Sequence, residues 1–251
     1  MVPTEHVSFR LYAQLNDFLP AEHRGRQLSQ LVSRRSVKDA IEALGVPHTE
    51  IDLILVNGAA VEFGYRLRDG DRVSVYPPFR SLDLAGITRV GVDAPDPIRF
   101  VIDRHLGKLA TFLRLAGFDA LMFDEDGVSA QTAARQGRVA LTRDLGLLKR
   151  KVIRHGYWVR HTDPEAQFAE VLGRFDLADR TTPFTRCLCC NEPVTSIAKD
   201  ELSNRVPAQS RACFDEFHEC RACGRVYWRG SHYAHLRLVL ERATHRVRTN
   251  G

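Results

Sequence analysis

The sequence predicts an α/β protein built in three parts, and three observations carry that expectation. Residues 1–82 run in the order strand, helix, hairpin and strand. Four short apolar runs between Ile98 and Asp163 each lead toward an acidic residue. All six cysteines fall between Cys187 and Cys223 of a 251-residue chain. That length accommodates two ordinary domains or three small ones, and the 44% apolar fraction is that of a folded soluble protein.

The first part reads as a small mixed domain. Val7-Ser8-Phe9-Arg10-Leu11-Tyr12 alternates with a period of two, as a half-buried strand does. Ser36-Val37-Lys38-Asp39 is the signature of a capping box, opening a helix through Leu44 that Gly45 and Pro47 terminate. Ile54-Leu55-Val56, an Asn57-Gly58 turn and Val61 read as a hairpin. Asp69-Gly70 then precedes the alternating strand Arg72-Val73-Ser74-Val75-Tyr76. Two strands, a helix and further strands are the order of a β-grasp fold. Residues 77–97 hold Pro77, Pro78, Pro95 and Pro97 with little apolar periodicity and read as the linker.

The second part alternates strand and helix patterns, the mark of a parallel sheet. Ile98–Ile102 stops at Asp103, Phe118–Phe123 runs into Asp124-Glu125-Asp126, Val139–Thr142 leads through Arg143 to Asp144, and a weaker run, Tyr157–Arg160, leads to Asp163. In a parallel sheet these acids stand at the carboxyl edge, where open α/β sheets place their ligands. Several carboxylates converging there repel one another unless a hard divalent cation such as Mg²⁺ or Mn²⁺ is held between them. Such a cation can activate water and stabilise the oxygens of an in-line phosphodiester displacement. An Asp before a helix is also a common N-cap, and Asp163, with Pro164 behind it, reads as a cap. Which of Asp124, Glu125 and Asp126 would be the middle acid is open at this level. Leu106, Leu109, Ala110, Leu113 and Ala116 recur at helical spacing up to Gly117, while Arg104, Lys108 and Thr111 fall on another face, toward solvent or substrate. Thr142 could orient a ligand or water, and Arg143 could meet a phosphate.

The third part is set by its cysteines. Cys187/Cys190 and Cys220/Cys223 form two C-x₂-C pairs, the spacing of a tetrahedral thiolate site for Zn²⁺. Four thiolates leave no open position, so a zinc there would be structural. Gly224 suits the turn of the second knuckle, Val226-Tyr227-Trp228 reads as the following strand, and Cys189 and Cys213 are spare thiols. Arg221, Arg225, Tyr227, Trp228, Arg229, His232, Tyr233 and His235 interleave basic and aromatic groups, a pattern that can grip phosphates and stack on unpaired bases or simply pack a small domain. Leu236–Val247 reads as a basic helix.

Charge and compartment fit this picture. Residues 1–85 carry a net −1, residues 86–185 a net +2 and residues 186–251 a net +4, so the basic excess accompanies the acids and the cysteines. A basic surround suits a polyanionic substrate. The start of the chain shows no basic stretch followed by an apolar export core, and no apolar run approaches the length that crosses a bilayer. The expected compartment is the cytoplasm, where free thiolates persist, and no membrane partner is expected.

Two resemblances sharpen these expectations. Leu55-Val56-Asn57-Gly58, Leu67-Arg68-Asp69-Gly70-Asp71-Arg72-Val73 and Tyr76-Pro77-Pro78 resemble the ubiquitin-like sulfur carriers of thiamin and molybdopterin synthesis. Those carriers act through a free Gly-Gly terminus; here Pro77-Pro78-Phe79-Arg80 stands in that place, which favours a docking or structural module. Phe100–Ala110, Leu113–Asp119 and Gly137-Arg138-Val139-Ala140-Leu141-Thr142-Arg143-Asp144 resemble the Mut-seven C-terminal RNase family, a PIN-like group, as does Tyr227-Trp228-Arg229-Gly230-Ser231-His232. The resemblance implies a PIN-like α/β/α nuclease fold with Asp103 and Asp144 as metal-binding acids, and spacing back from Arg138 puts Asp126 at the middle acid. Family members carry further acids after that position, where this chain has Gly127, Val128 and Ser129.

The expectation is therefore a ubiquitin-like β-grasp domain over residues 1–82, a PIN-like α/β/α nuclease domain over 98–180, and a zinc ribbon with a basic helical tail over 184–248. Asp103, Asp126 and Asp144 are the catalytic acids and Mg²⁺ or Mn²⁺ ligands; Arg104, Lys108 and Arg143 meet substrate; Cys187, Cys190, Cys220 and Cys223 hold Zn²⁺. The activity is ribonuclease, the partners RNA and a protein docking on the β-grasp domain. The rival reading is a catalytically silent RNA-binding or adaptor protein, which a ligand set lacking its middle carboxylate would favour.

Overall fold

A computed structural model describes residues 5–32, 35–79, 86–92, 94–123, 126–202 and 204–250, with residues 5, 123, 126–129 and 250 as backbone only. Its early elements are β1 (Glu5–Leu11), β2 (Gln27–Val32), α1 (Val37–Ala43), β3 (Leu53–Val56), β4 (Ala59–Ala60), β5 (Arg72–Tyr76), β6 (Arg99–Asp103), α2 (Gly107–Leu115) and β7 (Asp119–Phe123). Then come α3 (Asp126–Gln136), β8 (Val139–Thr142), α4 (Leu145–Leu148), β9 (Gly156–Trp158) and α5 (Pro164–Arg174). The last are β10 (Thr195–Ile197), α6 (Ala208–Cys213), β11 (Phe217–Glu219), β12 (Val226–Trp228) and α7 (Ser231–Asn250). They form two compact units, Met1–Asp93 with Asp144–Trp158, and Ala94–Arg143 with Val159–Gly251.

The first unit is the β-grasp-like one. Its sheet runs β2-β1-β5-β3-β4, with β1 and β5 parallel and their neighbours antiparallel. Alternation on β1 and β5 turns Val7, Phe9, Leu11, Val73 and Val75 inward, where α1 contributes Val37, Ala40 and Ile41. The capping box forms: the Ser36 hydroxyl accepts from the Asp39 backbone N–H at 3.1 Å and donates to its carboxylate at 2.6 Å. Gly45, at φ +102°, ends the helix. Asn57 and Gly58 both take positive φ, +52° and +86°, as a tight hairpin turn demands. Gln27–Val32 pairs with β1 although its polar residues and its exposed Leu31 leave little alternation in the sequence. Residues 144–158 complete this unit: the Trp158 backbone N–H donates to the buried Glu50 carboxylate at 2.7 Å, and Lys149 Nζ donates to the Glu42 carbonyl at 2.7 Å.

The second unit is built on parallel strands in the order β7-β6-β8. Phe100, Val101 and Ile102 are fully buried, as a central parallel strand covered on both faces must be. The predicted stripe on α2 is buried in full, from Leu106 to Ala116. Gly117 reverses the chain at φ +92°, and a Cβ there would overlap the Thr182 carbonyl and hydroxyl oxygens. Gly117→Ala is expected to lower stability by at least about 1 kcal/mol, since both its backbone conformation and its space are those of glycine; an unchanged thermal midpoint would contradict this. Asp163 caps α5, its carboxylate accepting from the Ala166 N–H at 2.9 Å. The ribbon strands β10-β11-β12 are antiparallel, and α7 buries Leu236, Val239, Leu240 and Ala243, packing against α5.

Candidate functional site

Strand direction places the candidate acids. Asp103 is the last residue of β6, Asp144 follows β8 by two positions, and Asp126 is the first residue of α3, after β7. Asp103 Oδ1 accepts from the His105 N–H at 3.0 Å, and Oδ2 accepts from the Thr142 hydroxyl at 3.0 Å. Thr142 is fully buried at the end of β8, so its hydroxyl fixes the rotamer of Asp103 from the neighbouring strand. Asp144 Oδ1 accepts from the Gly146 N–H at 2.7 Å, capping α4. Asp124, Glu125 and the Asp126 side chain lie outside the described residues. Among the described residues no group of three or more carboxylates gathers within ligand reach.

The basic candidates divide. Arg104 and Lys108 are exposed beside Asp103. Arg143 turns one guanidinium nitrogen onto the carbonyls of Val159, Arg160 and His161 at 2.9, 2.7 and 2.9 Å. It thereby holds the loop that follows Val159.

The four cysteines gather as their spacing requires. Their sulfurs all lie within 4.8 Å of one another, with Cys187–Cys223 at 3.5 Å and Cys190–Cys220 at 3.3 Å. These separations far exceed the ~2.05 Å of a disulfide. They approach the ~3.8 Å between sulfurs placed ~2.3 Å from a tetrahedral zinc. The two knuckles match bond for bond. Asn191 N–H donates to the Cys187 carbonyl and Gly224 N–H to the Cys220 carbonyl, at 3.0 and 2.8 Å, with φ of +75° and +72°. Burial opposes a thiolate at Cys187, yet backbone hydrogen bonds and the Tyr227 hydroxyl, 3.0 Å from its sulfur, bring its pKa down to about 6. Burial and the neighbouring sulfurs push Cys190 up to about 12. One thiolate thus suppresses its neighbours in the absence of a cation, and this donor set fits a divalent soft metal. Cys189 and Cys213 are exposed and stand apart from the set.

The ribbon aromatics are largely engaged within the unit. Tyr227 serves Cys187, Trp228 packs near Phe217, and Tyr233 stacks on Phe184 with ring centres 4.2 Å apart. Arg229 pairs with Glu216 at 3.0 Å, and on α7 Arg242 pairs with Glu165 at 2.9 Å.

A polar network at the opposite, amino edge of the sheet had no sequence signal. Arg138, 6% exposed, makes a two-pronged pair with Asp119 at 2.7 and 2.9 Å and also donates to the Phe100 carbonyl at 3.1 Å. Burial raises the Asp119 pKa, but the hydrogen bonds from Arg138 and Asn191 outweigh it and hold the carboxyl below its ordinary value. Asn191 donates to Asp119 at 2.7 Å and accepts from the Ala120 N–H at 2.8 Å. Arg114, 4% exposed on α2, donates to the carbonyls of Ala120, Leu188 and Cys189 at 2.8, 3.1 and 2.7 Å. The first cysteine knuckle is therefore wired into β7 and α2.

A β-grasp-like sheet, a parallel sheet flanked by helices and a four-cysteine cluster fit for zinc define a mixed α/β protein whose leading domain is ubiquitin-like. The chain belongs to the Mut7-C RNase family: the model described as the Mut7-C RNAse domain matches residues 98–240, and that described as Mut7-C ubiquitin matches residues 4–83. It is also similar to the crystal structure of H. volcanii small archaeal modifier protein 1, at 24% identity over 30% of this chain and 99% of that one, with a TM-score of 0.25. No curated protein matches it significantly. No helix among the described residues is long and apolar enough to cross a membrane.

Proposed function

We propose that this chain is a Mg²⁺- or Mn²⁺-dependent ribonuclease whose catalytic acids are Asp103, Asp126 and Asp144. The observation that carries the reading is Asp103, set at the carboxyl end of the central strand and oriented by the buried hydroxyl of Thr142, inside the region that matches an RNase family. Three carboxylates, each following a strand in the sequence, would make a hard-oxygen donor set of the kind that suits either ion. When bound, the metal would activate water and offset charge on the phosphate oxygens. Asp103 would present its carboxylate in a fixed orientation, and the exposed Arg104 and Lys108 beside it would receive the flanking phosphates of the RNA. The functional parts are read as residues 1–82 for protein docking, 98–180 for cleavage and 184–248 for the zinc ribbon, in a cytoplasmic protein.

One observation favours the rival, catalytically silent RNA-binding reading: Asp103 and Asp144 each cap the turn that follows them. Incubation with structured and single-stranded RNA in Mn²⁺ separates the two. Cleavage is expected in the wild type and absent in EDTA and in Asp103→Asn/Asp144→Asn. Thr142→Val, which removes a group orienting a ligand, should lower the rate by about 10–100-fold. RNA that is bound yet left intact across metals would establish the silent reading instead.

A further inference from the structure

We propose that His161, held by Glu170, donates the proton to the leaving oxygen when RNA is cleaved, an inference that rests on the ribonuclease reading above. The Val159 N–H donates to the Thr142 carbonyl at 2.9 Å, so the chain enters residues 160–161 beside the carboxyl end of β8, the same edge as Asp103. The loop is then fixed from two sides. Arg143 donates to its three carbonyls, and the buried Gln167 donates to the His161 carbonyl at 3.0 Å.

Glu170 fixes the ring itself. Its side chain is only 7% exposed, and its carboxylate accepts from the Arg160 N–H at 2.8 Å, the His161 N–H at 3.0 Å and His161 Nδ1 at 2.8 Å. A carboxylate on Nδ1 sets the tautomer and the ring orientation. The His161 side chain is 58% exposed, and with Nδ1 engaged inward, Nε2 is the ring nitrogen available to a substrate. Two backbone N–H groups would have sufficed to pin the loop; the third bond, to the imidazole, makes a ring of defined direction beside the carboxyl end of β8.

In the step so assigned, water attacks phosphorus opposite O3′, the P–O3′ bond breaks, and its electron pair goes to O3′. The ring acts as the imidazolium: with Nδ1–H kept on Glu170, the Nε2 proton passes to that oxygen, leaving the neutral Nδ1–H tautomer and giving a 3′-hydroxyl and a 5′-phosphate. The attacking water loses its proton to solvent, and the imidazole regains one from solvent. Glu170 is a positioning residue in this scheme.

The test compares an RNA with an ordinary linkage against the same RNA carrying one bridging 3′-sulfur, a leaving group that needs no proton. In Mn²⁺, His161→Ala should cut the oxygen linkage about 10²–10⁴-fold more slowly than wild type and the sulfur linkage at close to the wild-type rate. Glu170→Gln should fall between them on oxygen. Equal losses on both linkages, or no loss on either while Asp103→Asn abolishes both, would overturn the donor role and leave the ribonuclease reading intact. If wild type cuts neither linkage, both readings fall. A second readout needs no turnover. With zinc in place and no Mg²⁺ or Mn²⁺ added, ¹⁵N spectra should show Nδ1 of His161 carrying a proton, with an Nε2 resonance that moves when RNA is added; an unmoved resonance rules the contact out.

Discussion

Asp119→Ala is expected to destabilise the second unit by about 3 kcal/mol, the low end of the cost of removing one partner from a buried ion pair, because the Asp119 side chain keeps 18% exposure. The guanidinium left behind belongs to Arg138, whose side chain is 7% exposed, and Asn191 loses an acceptor as well. Urea unfolding followed by Trp228 fluorescence in a Trp158→Phe background reads this unit. A midpoint change equivalent to less than about 0.5 kcal/mol, the scale of a plain surface substitution, would show the pair to be incidental. Asp119→Leu/Arg138→Met should recover part of the loss, because no uncompensated charge remains buried. The pair also gives the stability a pH dependence. The Asp119 carboxyl titrates below its ordinary value in the folded state, so its contribution is complete above the unfolded pKa of ~3.9 and is lost as pH falls through the folded value.

Removing the metal from the cysteine cluster should have a second large effect, and one felt well outside the ribbon. The purified chain is expected to carry one zinc, measurable by elemental analysis, and Cys190→Ser should abolish it. Structural zinc sites of this kind contribute on the order of 10 kcal/mol to the folding of small modules. Here the first knuckle also supplies two of the three carbonyls that accept from Arg114. Burial already lowers the pKa of that guanidinium, so loss of the knuckle leaves a buried cation under-bonded. Backbone hydrogen exchange should therefore rise in α2 and β7 as well as in β10–β12. Exchange confined to the ribbon, or a metal-free chain with unchanged protection, would contradict the coupling.

Much of this architecture was legible in the sequence, because its signals are local. The α2 stripe, the Ser36 capping box, the Asn57-Gly58 turn, the Asp163 cap and the two C-x₂-C knuckles each depend on residues within one or two turns. The place of Asp103 at the end of β6 followed from strand direction alone. β2 had no such signal, since Gln27, Ser29 and Gln30 interrupt its apolar pattern and pairing with β1 creates it. Asp119–Arg138 depended on which strands neighbour β6, and Asn191 could be read as the counterpart of Gly224 but not as a bridge to Asp119. His161 and Glu170 lie nine residues apart and meet because α5 folds back beside the loop, a tertiary fact with no periodic signature. The same holds for the Thr142 hydroxyl on Asp103.

The wiring of the first knuckle into β7 also sets a schedule. Asn191 completes bonds to Asp119 and Ala120, which lie 72 and 71 residues earlier. At about 5–20 residues per second, translation needs about 4–14 s to cover that stretch. Through that interval the amino edge of the nascent sheet holds Asp119 and the Ala120 N–H without their side-chain partner, and Arg114 without two of its acceptors. The amino edge of the sheet therefore gains these bonds only after the first knuckle, residues 188–191, has been synthesised.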